Sequence, residues 1–529
     1  MKHKVRNVLA VVRRCLALVF FLGITLLLCD FTGVLHTWLG WMAKVQLLPA
    51  VLALNFVTVA VLVILTLIFG RVYCSVICPL GVMQDLINRL SASRKGKKYR
   101  LSYSPAKNWL RYGLLALFVI AMVAGATSLA GLLAPYSTFG RIVSNLFAPL
   151  YRLGNNMLAL LAERLDSYAF YSTEVWLKSL PTFIAAALAF VLIFILSWRG
   201  GRTWCNTVCP VGTVLGVLSR FSLLRINIDK NKCNRCGLCS RECKASCING
   251  KEHKVDYSRC VACFDCLETC RHGAISYGLR KRSSSEGTPA AEAPATKAQS
   301  TKAQSTKAQS TKAPTAKAPQ DSARRRFLGI SALTLAGAAL HAQEKKADGG
   351  LAAVQDKQAP ERSTPIVPAG AQSLRHLSQH CTACQLCVST CPNGVLRPST
   401  RLECFMQPES SYERGYCRPE CTLCSQVCPT GAISRITPEE KSSIQVGHAV
   451  WVKDRCLPAN GGDSCGNCAR HCPAGAIRMV HLDPDDKNSP RIPVVNTERC
   501  IGCGACENLC PVRPLSAIYV EGHQRHKTI

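Results

Sequence analysis

Apolar residues crowd into the first 200 positions of the chain, where long apolar runs alternate with short basic loops. A helix needs about 20 residues to cross the ~30 Å hydrocarbon core of a bilayer. Four runs meet or approach this length, at residues 15–31, 46–70, 109–133 and 176–198. The pattern predicts four membrane spans, and a moderately apolar stretch at residues 141–161 is a candidate for a fifth span or a surface helix.

Lysine and arginine in the loops predict how these spans are oriented. The first 14 residues hold five basic side chains and no acid, and residues 71–108 hold eight basic side chains against Asp85 alone. The loop at residues 134–171 holds three basic and two acidic side chains. Because cytoplasmic loops carry the excess of Lys and Arg, we expect both ends of the four-span unit to face the cytoplasm.

Beyond residue 226 the pattern changes to cysteine-rich segments separated by a low-complexity stretch. That stretch, TKAQSTKAQSTKAQSTKAPTAKAP, has no aromatic residue and cannot bury a core, so we predict a disordered tether. It is followed by SARRRFLGISALTLAGAAL, in which Arg324, Arg325, Phe327 and Leu328 match a twin-arginine signal and residues 329–340 are apolar. This internal signal predicts export of the later domain, or an anchor, with a cleavage point near Ala342 left open.

Thirty-two cysteines exceed ordinary usage, and 24 of them stand in six spaced runs. Two runs precede the tether: Cys233, Cys236, Cys239 and Cys243; and Cys260, Cys263, Cys266 and Cys270. Four runs follow it: Cys381, Cys384, Cys387 and Cys391; Cys417, Cys421, Cys424 and Cys428; Cys456, Cys465, Cys468 and Cys472; and Cys500, Cys503, Cys506 and Cys510. The C-x-x-C-x-x-C-x-x-x-C spacing is typical of [4Fe–4S] sites, in which three thiolates bind one cluster and the fourth reaches the other cluster of a pair.

These runs predict six [4Fe–4S] clusters with the 24 cysteines as iron ligands. Structural zinc is the alternative, but zinc sites use two separated C-x-x-C pairs and do not explain six complete runs. A disulfide framework would not need the repeated spacing. The second and third later runs have widened spacing, and the two earlier runs carry Lys244 and Arg271 where the later ones carry proline.

A second repeat accompanies the spans: RVYCSVICPLG begins at Arg71 and RTWCNTVCPVG begins at Arg202. We call these the Cys-Pro motifs, with Cys74 and Cys78 in the first and Cys205 and Cys209 in the second. Proline disfavours helix at the preceding residue, so each motif predicts a helix break. If a new helix begins at the proline, its dipole favours thiolate at the preceding cysteine. The four cysteines are redox thiols, ligands of a seventh metal centre, contacts to a ferredoxin domain, or interface packing.

Four further cysteines, Cys15, Cys29, Cys247 and Cys404, receive no assigned role. The sequence has no C-x-x-C-H haem motif and no Gly-rich dinucleotide fingerprint. The formal charge of +32 suggests nucleic acid as a partner, but the basic residues lie in loops beside spans and in the tether, and each cubane with its thiolates would contribute roughly −2. We therefore expect no nucleic-acid binding.

The two halves resemble two proteins joined end to end. The first, with its spans, Cys-Pro motifs and two cysteine runs, resembles the membrane ferredoxin subunit of periplasmic nitrate reductase and methylamine-utilisation systems. The second resembles their twin-arginine-exported ferredoxin partner, which has four clusters. The resemblance implies a membrane α-helical unit plus α+β bacterial-type ferredoxin domains, one with two clusters and one with four, and electron transfer from quinol to periplasmic enzymes. The fusion tether and the widened spacing depart from those relatives.

The predicted segments are a four-span unit at residues 1–226, a two-cluster ferredoxin domain at 227–280, the tether at 281–321, the signal or anchor at 322–343, a linker at 344–375 and a four-cluster ferredoxin domain at 376–529. The chain is expected in a bacterial inner membrane, with the first ferredoxin domain cytoplasmic and the second periplasmic. Its expected partners are membrane lipid, a quinone, and an exported reductase or cytochrome.

Geometry poses a difficulty for this function, because ~30 Å of hydrocarbon would separate the Cys-Pro motifs from the later clusters. Asp30 and His36, near the outer end of the first span, are candidate quinone contacts. Two other functions stay open: a maturation or regulatory protein that keeps a partner's metal or thiol reduced, and a cytoplasmic polyferredoxin merely anchored to the membrane.

Overall fold

The computed structural model describes residues 2–93, 101–167, 169–280, 355–461 and 464–529. The predicted tether and twin-arginine-like segment fall outside the described residues. Residues Met1–Lys281 and Lys357–Ile529 form one compact unit. This unit contains the helical first part of the chain and both cysteine-rich domains.

The described part of the first 219 residues is built from α-helices and their connections. Their bounds are α1 Lys2–Cys29, α2 Val34–Leu39, α3 Trp41–Lys44, α4 Leu47–Leu52, α5 Phe56–Phe69, α6 Val72–Val76, α7 Pro79–Ala92, α8 Asn108–Val123, α9 Thr127–Leu133, α10 Pro135–Ile142, α11 Ala148–Glu163, α12 Leu180–Gly200, α13 Thr203–Thr207 and α14 Pro210–Ser219. A π-helical turn at Val143–Phe147 joins α10 to α11. Residues 141–161, the candidate fifth span, therefore lie in a helical segment interrupted by this turn.

Within the described residues, two helices are long and apolar enough to cross a membrane: Val8–Cys29 in α1, and α12. They coincide with the first and fourth predicted spans. The second predicted span is divided into α4 and α5 at Leu54, which has φ 52°, and the third into α8 and α9 at Gly125, which has φ 78°. Hydropathy averages over such breaks, because one residue with positive φ ends a helix without lowering the apolar content.

The helical part exposes much of its apolar surface. Phe56 is 77% exposed, Val123 84% and Leu188 65%. A soluble monomer rarely leaves large contiguous apolar areas open to water. This exposure and the two span-length helices are consistent with membrane association.

The first cysteine-rich domain is a small α+β unit. Strand β1 (Leu224–Ile228) pairs antiparallel with β4 (Ile275–Leu279), and β2 (Ile248–Asn249) pairs with β3 (Lys254–Val255). Helices α15 (Leu238–Arg241) and α16 (Asp265–Thr269) each carry part of a cysteine run. The first strand thus begins three residues before the predicted boundary at 227.

The second cysteine-rich domain repeats this design on a larger scale. Its helices are α17 Leu374–His380, α18 Leu386–Thr390, α19 Leu423–Val427, α20 Pro438–Ser443, α21 Asn467–Arg470 and α22 Ala505–Leu509. Its strands are β5 Leu396–Pro398, β6 Pro408–Ser410, β7 Ile444–Trp451, β8 Ile477–His481, β9 Arg491–Val495 and β10 Ile518–Thr528. They form three antiparallel pairs, β5 with β6, β7 with β10, and β8 with β9.

Residues that precede the predicted boundary at 376 contact the second domain. Lys357 donates hydrogen bonds to the carbonyl oxygens of Glu507 and Cys510, at 2.6 and 2.9 Å. Ile366 and Val367 are at most 2% exposed. The last part of the predicted linker therefore belongs to the second domain, because its few apolar residues enter the domain core.

The two cysteine-rich domains contact opposite ends of the helical part. Midway along α1, Arg14 forms ion pairs with Asp265 and Glu268 of the first domain. Beyond the end of α1, His36 hydrogen-bonds Thr390 of the second domain at 2.9 Å. Because a helix rises 1.5 Å per residue, Arg14 and Cys29 lie about 22 Å apart along the axis of α1.

Candidate iron–sulfur sites

The four regular cysteine runs share an unusual backbone. In each run, both neighbours of the second cysteine have positive φ. These pairs are Arg235 and Gly237, Ala262 and Phe264, Ala383 and Gln385, and Gly502 and Gly504. Non-glycine residues adopt this conformation rarely, and a strain that recurs at one place in four loops indicates function.

In four of the runs a short helix ends directly before the fourth cysteine. Helix α18 ends at Thr390 immediately before Cys391, and α19, α16 and α22 end likewise before Cys428, Cys270 and Cys510. Glycines with positive φ then turn the chain, for example Gly394 and Gly431. In these two runs the chain leaves the helix at the fourth cysteine and turns within the next three residues.

The structure brings the 24 cysteines into six quartets, each made of three cysteines from one run and the fourth from its partner run. The quartets are Cys233, Cys236, Cys239 and Cys270; Cys260, Cys263, Cys266 and Cys243; Cys381, Cys384, Cys387 and Cys428; Cys417, Cys421, Cys424 and Cys391; Cys456, Cys465, Cys468 and Cys510; and Cys500, Cys503, Cys506 and Cys472. This is the exchange expected of paired clusters.

Cavities and electrostatics identify the members of each quartet. Three quartets line one cavity each, and these cavities are also lined by apolar residues such as Ile275, Val446 and Ile518. In the other three, neighbouring thiols act on one another. Burial raises the pKa of Cys387 well above its usual value, and the nearby Cys381 and Cys428 raise it further.

The two runs with widened spacing form quartets by different loops. In the run beginning at Cys417, the buried Lys441 donates to the carbonyl oxygens of Arg418 and Cys421, both at 2.5 Å. In the run beginning at Cys456, a single-turn 3₁₀ helix at Pro458–Asn460 occupies part of the insertion.

Backbone N–H groups point at several of these sulfurs. Ala383 donates to Cys381 Sγ at 3.5 Å, Ile433 to Cys428 Sγ at 3.4 Å and Ala476 to Cys472 Sγ at 3.3 Å. Such hydrogen bonds stabilise thiolates and set the potential of a bound cluster. Four thiols per site, shielded by apolar residues and faced by N–H donors, fit a [4Fe–4S] cluster.

Cys247, which the sequence left without a role, lies against one quartet. Its Sγ is 3.5 Å from Cys243 Sγ, and it also hydrogen-bonds Cys260. Donation from the Cys247 thiol is the main reason that the pKa of Cys243 falls to about 7. A fifth cysteine thus touches two members of one quartet, which run spacing alone does not reveal.

A buried ion network holds the first domain to the helical part. Asp85 pairs with Arg202 at 2.8 Å, Arg13 at 3.2 Å and Lys244 at 3.6 Å, and Lys244 also pairs with Asp265 at 2.7 Å. Burial raises the pKa of Asp85, but Arg202 and Lys244 more than offset this and hold it well below its usual value. Lys244 replaces the proline of the later runs, and this contact explains the departure.

The two Cys-Pro motifs meet in the same region. Helices α7 and α14 begin at Pro79 and Pro210, with Cys78 and Cys209 as their N-caps, which confirms the predicted helix breaks. Arg71 Nη2 lies 3.7 Å from Cys74 Sγ and donates to the carbonyl oxygen of Cys205 at 3.3 Å. We call the four cysteines, none more than 4% exposed, the Cys-Pro core.

The expected thiolate character of Cys78 and Cys209 is not found. Burial raises the pKa of Cys78, and the neighbouring thiols of Cys205 and Cys74 raise it further. Burial and the same neighbours also raise the pKa of Cys209 well above its usual value. Desolvation of the free thiols outweighs the helix N-terminus.

The second domain docks through the loop of its first run. Thr127 donates to the carbonyl oxygen of Cys381 at 3.0 Å, and Asn145, in the π-helical turn, donates to Gln385 Oε1 at 2.8 Å. Asp30 accepts hydrogen bonds from backbone N–H groups and contacts His36 Nδ1 at 3.1 Å. Asp30 and His36, predicted as quinone contacts, are therefore engaged in this docking region.

A cavity of about 570 Å³ lies between the helical part and the second domain. The aromatic side chains Phe31, Tyr171 and Trp176 line it, as does Cys391 of one quartet. Its lining also includes four basic residues and one acid, namely Arg152, Lys178, Arg414, Arg418 and Glu174. A bound group in this cavity would contact both a span end and a cluster site.

Comparison with known proteins identifies iron–sulfur families. The family described as a 4Fe-4S binding domain matches residues 51–98 and 182–231, each including one Cys-Pro motif, and a 4Fe-4S dicluster domain matches residues 463–513. No solved structure matches the chain.

Several curated proteins are similar over part of the chain. The methylamine utilization ferredoxin-type protein MauM of Paracoccus denitrificans is 32% identical over 171 residues, 30% of this chain and 73% of MauM. The ferredoxin-type protein NapG of Escherichia coli is 30% identical over 177 residues, 31% of this chain and 75% of NapG. YccM of Escherichia coli is 23% identical over 249 residues, 45% of this chain and 60% of YccM. The chain therefore belongs to the family of ferredoxin-type [4Fe–4S] proteins that includes MauM and NapG.

Proposed function

We propose that this ferredoxin-type electron-transport protein is membrane-bound, holds six [4Fe–4S] clusters and carries electrons from quinol to an exported reductase. The 24 cysteines of the six quartets would be the iron ligands. A cluster supplies one-electron transfer, and the protein holds it in place, shields it and sets its potential. The shared quartets support the number six, because each has its own full set of four thiols.

One observation carries the membrane role: the first ferredoxin domain contacts the middle of α1 at Arg14, the second contacts the segment beyond its end at His36, and α1 is long enough to span a bilayer. The basic loops place the first domain in the cytoplasm by the positive-inside rule. A second domain on the far side would require export, for which the twin-arginine-like residues 324–328 are suited. If α1 spans the membrane, the second domain must be exported, so the two statements form one proposal.

The cavity beside Cys391 supports quinol as the electron donor. Phe31, Tyr171 and Trp176 lie at span ends, where aromatic side chains favour the membrane interface. Cys391 lines the same space, so a quinol in this cavity would reach van der Waals distance of a cluster ligand. The acceptor would be an exported reductase or cytochrome that docks on the second domain.

Anaerobic reduction tests this proposal. The full chain, purified in detergent with its clusters intact, is mixed with a short-chain quinol, and the loss of the broad cluster absorbance is followed. We expect rapid bleaching in the wild type and slow bleaching in Asn393→Trp, which narrows the cavity. Asn488→Trp, on an exposed turn, is the matched control and should react like the wild type.

Intact clusters that quinol does not bleach would contradict the proposal. Bleaching at equal rates in the wild type and Asn393→Trp would sustain quinol oxidation but remove the cavity as its location.

A further inference from the structure

The geometry points to a seventh iron–sulfur centre: we infer that Cys74, Cys78, Cys205 and Cys209 of the Cys-Pro core together bind one [4Fe–4S] cluster. Each motif contributes two thiolates, so neither motif suffices alone. The binding site stands without the proposed function. Only its use as an electron relay rests on that function.

Every sulfur of the core has its own N–H donor. Arg71 Nη2 is 3.7 Å from Cys74 Sγ, and Gln84 Nε2 is 3.2 Å from Cys205 Sγ. At the helix N-termini, the backbone N–H of Gly212 donates to Cys209 Sγ at 3.3 Å, and that of Gly81 donates to Cys78. Donors of this kind also face sulfurs of the quartets, such as Cys381, Cys428 and Cys472, whereas plain packing of thiols would not require them.

Two fully buried guanidinium groups flank the core. Arg202 donates to the carbonyl oxygen of Cys74 at 2.5 Å, and Arg71 donates to that of Cys205, so the two motifs make reciprocal contacts. Both side chains are 0% exposed. The motifs are therefore related by a pseudo-twofold arrangement with the four cysteines at its centre.

The charge balance breaks this symmetry. Arg202 is neutralised by Asp85, fourteen residues after Arg71, but the equivalent position after Arg202 is Gly216. In the described residues, Arg71 bonds only neutral groups: Asn206 Oδ1, the carbonyl oxygens of Ser258 and Cys205, and Cys74 Sγ. Its Nε has no partner. A buried cation without an anion is costly, and an anionic cluster among the four thiols would neutralise it.

The arrangement favours a cluster over a single metal ion. Among the described residues, no three His, Cys, Asp or Glu side chains are grouped so that they could hold one ion. A [4Fe–4S] cluster needs no such grouping, because each of its irons takes one protein thiolate. Both stretches that contain a Cys-Pro motif match the family described as a 4Fe-4S binding domain.

The core adjoins a ferredoxin quartet, which suits a relay. Arg71 also donates to the carbonyl oxygen of Ser258, two residues before Cys260, and Asn206 donates to that of Ala245, two residues after Cys243. The centre would accept one electron from the reduced cluster of that quartet, passing from the 2+ to the 1+ state. No bond would form or break, and no proton would move.

Metal and sulfide analysis of the full chain, purified anaerobically, tests this inference. Seven clusters require about 28 iron and 28 sulfide atoms per chain, against about 24 of each for six. We expect about 28 in the wild type and about 24 in Cys74→Ser and in Cys209→Ser, because one shared centre is lost from either side. Cys15→Ser, an exposed cysteine of α1, is the matched control and should retain about 28.

The iron and sulfide content of the wild type tests the inference even if a variant fails to fold. About 24 iron atoms, as redox thiols or a disulfide would give, overturns the inference, and about 26 overturns the cluster type in favour of [2Fe–2S]. One additional spin on full reduction, absent from Cys74→Ser, is the expected paramagnetic resonance signature. A chain with about 28 iron atoms that quinol does not reduce would sustain the seventh centre while contradicting the proposed function.

Discussion

The two ferredoxin domains are attached to the helical part by different means. The first is held by buried charge: Asp85 pairs with Arg13, Arg202 and Lys244, and Asp265 pairs with Arg13 and Lys244. Both domains are approached closely by glycines of the helical part: Gly201 and Gly216 face the carbonyl oxygens of Lys244 and Ser258, and Gly131 and Gly140 face those of Thr382 and Cys384. The difference teaches that docking beside a cluster can rest on close backbone approach and can add a compensated ion network to it.

Each mode suits the route proposed for its domain. The first domain folds next to the helices that precede it in the chain, so an ion network that must be desolvated can form with the fold. The second would arrive folded after export, and a shape-based contact with few ions requires little desolvation of charge. The contrast predicts that charge substitutions in the ion network loosen the first domain only, and that steric substitutions at Gly131 or Gly140 loosen the second.

The largest effect is expected from Asp85→Asn, which leaves three cations buried around a neutral amide. Breaking a buried ion pair by removing one partner costs about 3–5 kcal/mol. We expect a lower melting temperature in detergent and fast amide exchange in α16, measured by mass spectrometry. Asp229→Asn, at an exposed pair with Lys232, should change stability by less than about 0.5 kcal/mol. Equal effects of the two substitutions would contradict the ion-network docking.

The Asp85 carboxylate also predicts how the stability of the folded protein changes with pH. Burial raises the pKa of Asp85, but Arg202 and Lys244 hold it below its usual value, so the folded protein favours the ionised form. Its stabilisation is complete above about pH 4, the pKa in the unfolded chain, and is lost as the pH falls through the lower folded value. The stability difference between wild type and Asp85→Asn should be constant from about pH 5 to 8 and shrink below about pH 4. A stability difference between wild type and Asp85→Asn that grows as the pH falls would contradict this prediction.

Gly140→Ala should act on the second domain instead. The added methyl group would overlap the backbone carbonyl of Cys384, which cannot move without displacing the cysteine loop. Overpacking of this kind costs about 1–3 kcal/mol. Amide exchange should rise at residues 381–390 and not in the first domain. Gly154→Ala, with open space around it, is the control, and protection of residues 381–390 in both variants would refute docking by shape.

Lys244→Ala sharpens the comparison between cysteine runs. Lys244→Ala should lower the free energy of unfolding by about 1–3 kcal/mol. This is less than the effect of Asp85→Asn, because Asp85 keeps its ion pairs with Arg202 and Arg13. Arg271, at the matched position of the other run, is exposed. Arg271→Ala should leave the melting temperature unchanged, and a similar loss in both variants would show that Lys244 has no special docking role.

The smallest effect concerns Cys247. Its thiol hydrogen-bonds Cys243 and Cys260, and such a donor stabilises the reduced, more negative cluster. A hydrogen bond of about 1 kcal/mol corresponds to ~40 mV for a one-electron couple, so Cys247→Ala should lower one cluster potential by that order. Cys404→Ala is the control, because Cys404 donates to Ser399 Oγ. Redox titration followed by paramagnetic resonance measures both, and an unchanged potential in Cys247→Ala would remove this role.

Local spacing made part of this architecture predictable. The cysteine runs, the exchange of the fourth cysteine and the helix starts at Pro79 and Pro210 follow from backbone rules that act within a few residues. The breaks at Leu54 and Gly125 were not predictable, because hydropathy is insensitive to one residue of positive φ. The burial of residues 366–371 was missed because a Pro-rich stretch with few apolar residues resembles a linker.

Contacts distant in sequence account for the remaining differences. Lys244 stood out only as a departure from proline, and its partner Asp85 lies 159 residues earlier in the chain. Arg71 and Arg202 open both Cys-Pro motifs, and that repetition was a signal that could have indicated their shared role. Cys247 carried no signal, because a single cysteine outside the runs has no spacing to interpret.

The position of the two ferredoxin domains on opposite sides of a membrane is the central claim, and sidedness tests it most directly. The full chain is expressed with an epitope after Ile529 and a second epitope inserted between the exposed residues Lys251 and Glu252, and sealed vesicles of both orientations are treated with protease. We expect the second-domain epitope to be cut only from the outer face and the first-domain epitope only from the inner face. Cleavage of both epitopes from the same face would contradict the claim.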